Sequence, residues 1–194
     1  LDLQNIDSPT LAREPARNLF RNSGQYWKAT GLLEKTNGGI ELTELGVSYA
    51  TDQITRSEFS SYTIKSLEFP NEDIDSGAVV TAWNANQTRI KPLELILKII
   101  TSLYLIANDK GYLTAEELVK VVIPLSGNNC SLEDITIAIN DYRNTPSLFL
   151  NTWSADEKSN DKRIARELLL FLYHYDFLGI RDTTDPSKRT INLT

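Results

Sequence analysis

The 194-residue chain holds one cysteine, one histidine and no methionine. A lone thiol, Cys130, excludes an internal disulfide, and Cys130 with His174 falls short of the four ligands of a zinc site. Cys130 reads as a structural loop thiol. No segment approaches the roughly 18 consecutive apolar residues of a membrane helix, and no basic-then-apolar leader opens the chain. The composition points to a soluble, cytoplasmic protein with no membrane partner. An excess of positive charge is also missing: 20 Lys and Arg stand against 26 Asp and Glu, a net charge of −6. The bulk field repels phosphates, so a nucleic-acid partner would have to meet a local basic patch. Catalytic sets are scarce as well. There is no glycine-rich phosphate loop, and one histidine cannot build a Ser/His/Asp triad. The acidic-x-Lys pair Asp156–Lys158 lies in a polar loop, and Trp153 beside it reads as an anchor for that loop. No catalytic residue, metal ligand or cofactor is assigned, and the chain reads as a binding module.

What is present falls into two blocks. Residues 1–68 form the first, and 69–88 (FPNEDIDSGAVVTAWNANQT within it) carry Pro, Gly, Asn and Asp at the spacing of a connector. Residues 89–194 form the second. Its opening helix, within 89–109, buries Leu93, Ile96, Leu97, Ile100, Leu103 and Tyr104 at helical spacing. Thr114 with Glu117 predicts a capping box before a helix that stops at Pro124, and Ser131 with Asp134 predicts a second.

The segment REPARNLFRNSGQYWKATGLLEKTNGGIELT has a counterpart in NDKRIARELLLFLYHYDFLGIRDTTDPSKRTINLT. Ala16, Arg17 and Leu19 match Ala165, Arg166 and Leu168; Gly31 and Leu32 match Gly179 and Ile180; Ile40, Leu42 and Thr43 match Ile191, Leu193 and Thr194. Each copy reads as a helix, a glycine-marked reversal and two short strands. Asn37-Gly38 predicts a type I′ hairpin turn. A helix feeding a hairpin, with helices ahead of it, is the winged-helix variant of helix-turn-helix, so the fold class is mainly α (α+β), two winged-helix subdomains in tandem. The first block has few residues ahead of its helix, and either borrows a helix or belongs to a fragment.

On helical spacing Arg13, Arg17 and Arg21 form a stripe beside Asn18 and Asn22, opposite Ala12, Ala16, Leu19 and Phe20. Pro15 suits the first turn of that helix. Arginine matches guanine edges and phosphates, and asparagine matches adenine. In the second copy Lys162, Arg163 and Arg166 lie in the first turns, ahead of an apolar LLLFLY run. The hairpins contribute Lys35, Asn37, Lys188 and Arg189 for phosphate contact. Double-stranded DNA is the expected partner.

The stretches LFRNSGQYWKATGLLEKTNGGIELTELGVSYA and NTWSADEKSNDKRIARELLLFLYHYDFLGI resemble the DNA-recognition half of type IIS restriction endonucleases of the FokI/AlwI-like group. The resemblance implies two winged-helix subdomains reading an asymmetric site, with helix contacts carried over to Arg13, Arg17, Asn18, Arg21, Asn22, Lys162, Arg163 and Arg166. It also implies a separate C-terminal cleavage domain that needs Mg and lies outside these residues; a chain ending after a strand at Thr194 fits a fragment cut at a domain boundary. Without that domain the chain is expected to bind duplex and leave it intact. A rival reading is an acidic tandem winged-helix adaptor, gripping a partner protein in a chromosome-organising complex. The net charge suits the adaptor and the arginine stripe suits DNA.

Overall fold

A computed structural model describes residues 23–146, 160–180 and 189–191. The chain divides into two units, Leu1–Pro92 and Leu93–Thr194. The fold is mainly helical with small antiparallel sheets, α+β in class.

In the first unit, helix α1 (Ser23–Ala29) leads into strands β1 (Leu33–Thr36) and β2 (Gly39–Leu42), which pair antiparallel from Leu33↔Leu42 to Thr36↔Gly39. The helix ends where Gly31 takes φ +80°: its N–H donates to Lys28 O, and the Leu32 N–H to Trp27 O. That pair of bonds satisfies the last carbonyls of the helix, and the left-handed backbone it needs costs glycine least. The turn at Asn37-Gly38 departs from the expected type I′ form. Neither residue has positive φ; the positive φ falls instead on Gly39, at +142°, the first residue of β2.

Thr43 explains why an ELTELG run follows the hairpin. Its hydroxyl donates to Gly31 O at 2.5 Å, its N–H donates to Leu32 O, and its Oγ1 accepts from Gly46 N. The threonine thereby caps helix α2 (Glu44–Ala50) and ties it to the end of α1. Gly46 lies so close that a Cβ there would stand 2.2 Å from Leu32 O. Helix α3 (Arg56–Ser66) follows from the Thr55/Glu58 capping box and buries Phe59, Thr63 and Ile64, with Tyr49 stacked on Phe59 at 4.6 Å. The residues read as a connector contain helix α4 (Gly77–Ala85), started by Ser76, whose side chain accepts from Val79 N. Gly, Asn and Asp dominated that reading, yet they occupy the helix ends, around an AVVTAW middle.

The second unit is built on α5 (Pro92–Ile106), which buries Leu93, Ile96, Ile99, Ile100 and Leu103; Leu97 and Tyr104 are half-buried. Strand β3 (Tyr112–Leu113) precedes α6 (Ala115–Glu117), opened by the Thr114/Glu117 capping box. The helix does not stop at Pro124. A π turn at Leu118–Val122, where Ile123 N–H donates to Leu118 O, carries the chain into α7 (Ile123–Gly127). Proline has no N–H to donate, and the wider turn ahead of it accommodates the shortfall. Helix α8 (Leu132–Asn144) starts from the Ser131/Asp134 capping box. Helix α9 (Asn160–His174) then leads to β4 (Leu178–Ile180) and β5 (Arg189–Ile191), in a sheet of order β3-β5-β4.

The repeat is visible in this second junction, at a different register from the one the sequence suggests. Asp176, at φ +63°, donates its N–H to Tyr173 O, and the Phe177 N–H donates to Leu172 O. These are the bonds made around Gly31. The counterpart of Gly31 is therefore Asp176, three residues ahead of Gly179, which sits inside β4 without positive φ. The strands then pair as in the first copy, with Leu178↔Ile191 in the place of Leu33↔Leu42. The same cap recurs at Asp52, Gln87 and Asn129, each in left-handed backbone. Asp and Asn tolerate that region better than most residues.

Candidate nucleic-acid interface

The hairpin and the start of α9 are the places where expected DNA contacts fall on described side chains. Lys35 stands exposed on β1, with Ile40 as its cross-strand partner, and Asn37 is exposed in the turn. Lys162 and Arg166 are exposed on α9. Arg163 differs: it is half-buried, and its Nε is enclosed without a hydrogen-bond partner among the described residues. The Glu116 carboxyl is held below its ordinary value chiefly by Lys120, and the Lys162 charge adds the smallest share. Arg189 belongs to β5, where its backbone pairs with Leu113 on one side and Ile180 on the other. Arg13, Arg17, Asn18, Arg21, Asn22 and Lys188 lie outside the described residues, as do Trp153, Asp156 and Lys158.

The charge around these positions is mixed, and the hairpin register shows why. Lys35 and Glu34 point to opposite faces of β1. Glu34 is the direct cross-strand partner of Glu41, both exposed, so one face of the hairpin is acidic. Like charges directly opposite destabilise a strand pair, and here Thr36 Oγ1 relieves part of the cost by donating to Glu41 Oε1 at 3.3 Å. The pairing was readable from LEKT and GIEL once the two-residue turn fixed the register. Lys28, on α1, is engaged by Asp73 at 2.8 Å.

Helix α8 offers little to phosphate. Its exposed charges are Glu133, Asp134 and Asp141, and Arg143 is spent inside the unit. The Arg143 guanidinium donates to Glu117 Oε1 at 2.6 Å, to Lys110 O at 2.8 Å and to Tyr112 O at 2.6 Å, and stacks 3.8 Å from the centre of the Tyr112 ring. Glu117, almost wholly buried, also accepts from Thr114 N. A single arginine thus holds β3, the last residue of α6 and the end of α8 together. Sequence reasoning missed it because Glu117 and Tyr112 lie far from Arg143 along the chain. Beside it the Glu116 carboxyl is held below 4.5, first by the Lys120 ammonium it binds and, against its partial burial, by the Tyr142 hydroxyl, which donates to it at 2.9 Å. Burial, then that same bond, pushes the Tyr142 phenol above 10.0.

No protein-family model, curated protein or solved structure matches this chain.

Proposed function

We propose that the chain is a pair of winged-helix subdomains that recognises a specific sequence in double-stranded DNA, as the recognition part of a restriction endonuclease whose Mg-dependent cleavage domain lies outside these residues. The observation that carries this reading is the repeated junction: a helix, the same two-bond cap in left-handed backbone, and a hairpin in the same register. Further support comes from the second unit, where β3 sits between two helical stretches and adds to the hairpin in the order β3-β5-β4. In this reading α9 presents Lys162 and Arg166 to the duplex, and the hairpins follow phosphates through Lys35 and Asn37. In the same reading Arg17, outside the described residues, meets a base edge.

The test starts with selection of bound fragments from a random duplex library, with magnesium present. The duplex is expected to be retained intact. Arg17→Ala should then cost about 1–3 kcal/mol on the selected site alone, while Lys35→Ala should weaken selected and scrambled duplexes alike and lower the salt slope by roughly one. Equal losses on both duplexes for Arg17→Ala would make it a positioning contact.

The acidic adaptor reading draws on a specific observation of its own, the Glu34–Glu41 face together with the acids of α8. Failure of the unmutated chain to bind any duplex at low salt would pass the function to it.

A further inference from the structure

Among the described residues the first hairpin has an open side. In the second unit β5 is paired on both flanks, by β4 and by β3, whereas β2, which holds the same place in its own hairpin, pairs among the described residues with β1 alone. Every residue of β2 is exposed, and Ile40 and Leu42 leave 56% and 49% of their surface to solvent. Unpaired strand edges flanked by apolar side chains are templates for a further strand.

The charges decide which strand. Ile40 and Leu42 share one face of β2, and Glu41 faces the other way with Glu34 beside it. An incoming strand that alternates apolar and basic residues lays its apolar side chains along Ile40 and Leu42 and its cations next to Glu41, with Glu34 one strand further on across the same face. A second copy of β2 in antiparallel register would bring further glutamates to a pair that is already like-charged, so self-pairing is disfavoured. We propose that the free edge of β2 binds an extended peptide segment of alternating apolar and basic residues by strand addition. The edge belongs to the hairpin that the DNA reading lays along phosphates through Lys35, the cross-strand partner of Ile40, but the proposal does not rest on that reading.

The test uses the full chain, isotope-labelled, titrated with the acetylated and amidated hexapeptide KVKVKV, and with KKKVVV and EVEVEV as comparisons. KVKVKV is expected to shift the backbone amides of Gly39–Leu42 and to slow exchange of the edge amides. Glu34→Lys with Glu41→Lys keeps the like-charge pairing but reverses its sign and gives up the exposed Thr36–Glu41 hydrogen bond, so the variant's amide spectrum is first checked for an intact hairpin. That double variant should bind KVKVKV on the order of tenfold more weakly and gain binding to EVEVEV. Equal binding of KKKVVV and KVKVKV would reduce the effect to bulk charge attraction and overturn the proposal. Concentration-dependent shifts of the same amides without peptide would assign the edge to a second copy, and shifts there with duplex DNA but not with KVKVKV would assign it to phosphate contact; either result overturns strand addition. Loss of duplex binding with peptide binding intact would sink only the DNA reading.

Discussion

The two helix–hairpin junctions share their backbone bonds and differ in nearly everything around them. Gly31 and Asp176 make the same cap, and Leu33↔Leu42 and Leu178↔Ile191 start the same strand pairing. Yet Leu178 is almost fully buried, whereas its counterpart Leu33 is half-buried, and β2 beside Leu33 is exposed along its whole length. The two hairpins also differ in having or lacking a third strand among the described residues. In the second unit β3 pairs with β5, and Arg143 grips the Tyr112 carbonyl of β3; in the first, Thr43 and Gly46 fasten the hairpin to the end of α1 from the other side. A local motif set by a few hydrogen bonds can be reused, but how deeply it is buried depends on what the surrounding chain brings to it.

The comparison breaks most sharply at Arg143. Arg143→Met leaves the Glu117 carboxylate buried and the Lys110 and Tyr112 carbonyls without their donor, and should cost the second unit about 3–5 kcal/mol in chemical denaturation. Adding Glu117→Leu should restore part of that loss, since the uncompensated charge goes with it. The first unit breaks at Gly46. Gly46→Ala drives a methyl into a backbone carbonyl that cannot swing aside, with an expected loss of about 1–3 kcal/mol or more, read from hydrogen exchange at Leu32 and Thr43. The caps sharpen the comparison with a smaller effect of opposite signs: Gly31→Ala should cost about 1 kcal/mol, whereas Asp176→Gly should gain up to about 1 kcal/mol.

Smallest is the pH response. The Glu58 carboxyl, held low by the Thr55 backbone N–H and then by its hydroxyl, and Glu116, held low chiefly by Lys120, each add stability above 4.5 that fades as pH falls through their lowered folded values. Acid therefore touches both units. Tyr142 and Lys120, in the second unit, are raised, so their contributions hold below 10.0 and 10.5 and are lost as pH climbs through the folded values. A flatter alkaline limb of stability in Tyr142→Phe is the measurement that checks it.

The elements legible in the sequence were those written in local code. The capping boxes at Thr114 and Ser131 and the buried stripe of α5 were read from residues three or four apart, and they stand in the structure. The repeat is legible as a pattern but out of register, because glycine is the usual mark of a left-handed residue and Asp176 fills that role here. Of the candidate site, exposure of Lys35, Lys162 and Arg166 followed from polar spacing. The half-burial of Arg163 did not, since α9 rotates that side chain toward its own unit. Arg143 carried no local mark at all: its value lies in meeting Glu117 and Tyr112, a matter of tertiary packing.

The cap at the end of α7 has a practical consequence. Asn129 holds the left-handed position there, and the next residue, Cys130, donates its N–H to Leu125 O to close the turn. Cys130 is also the sole thiol of the chain and is half-buried. Its rate of reaction with a disulfide reagent is thus a built-in clock for opening of that helix end, with no engineered label to disturb what it times.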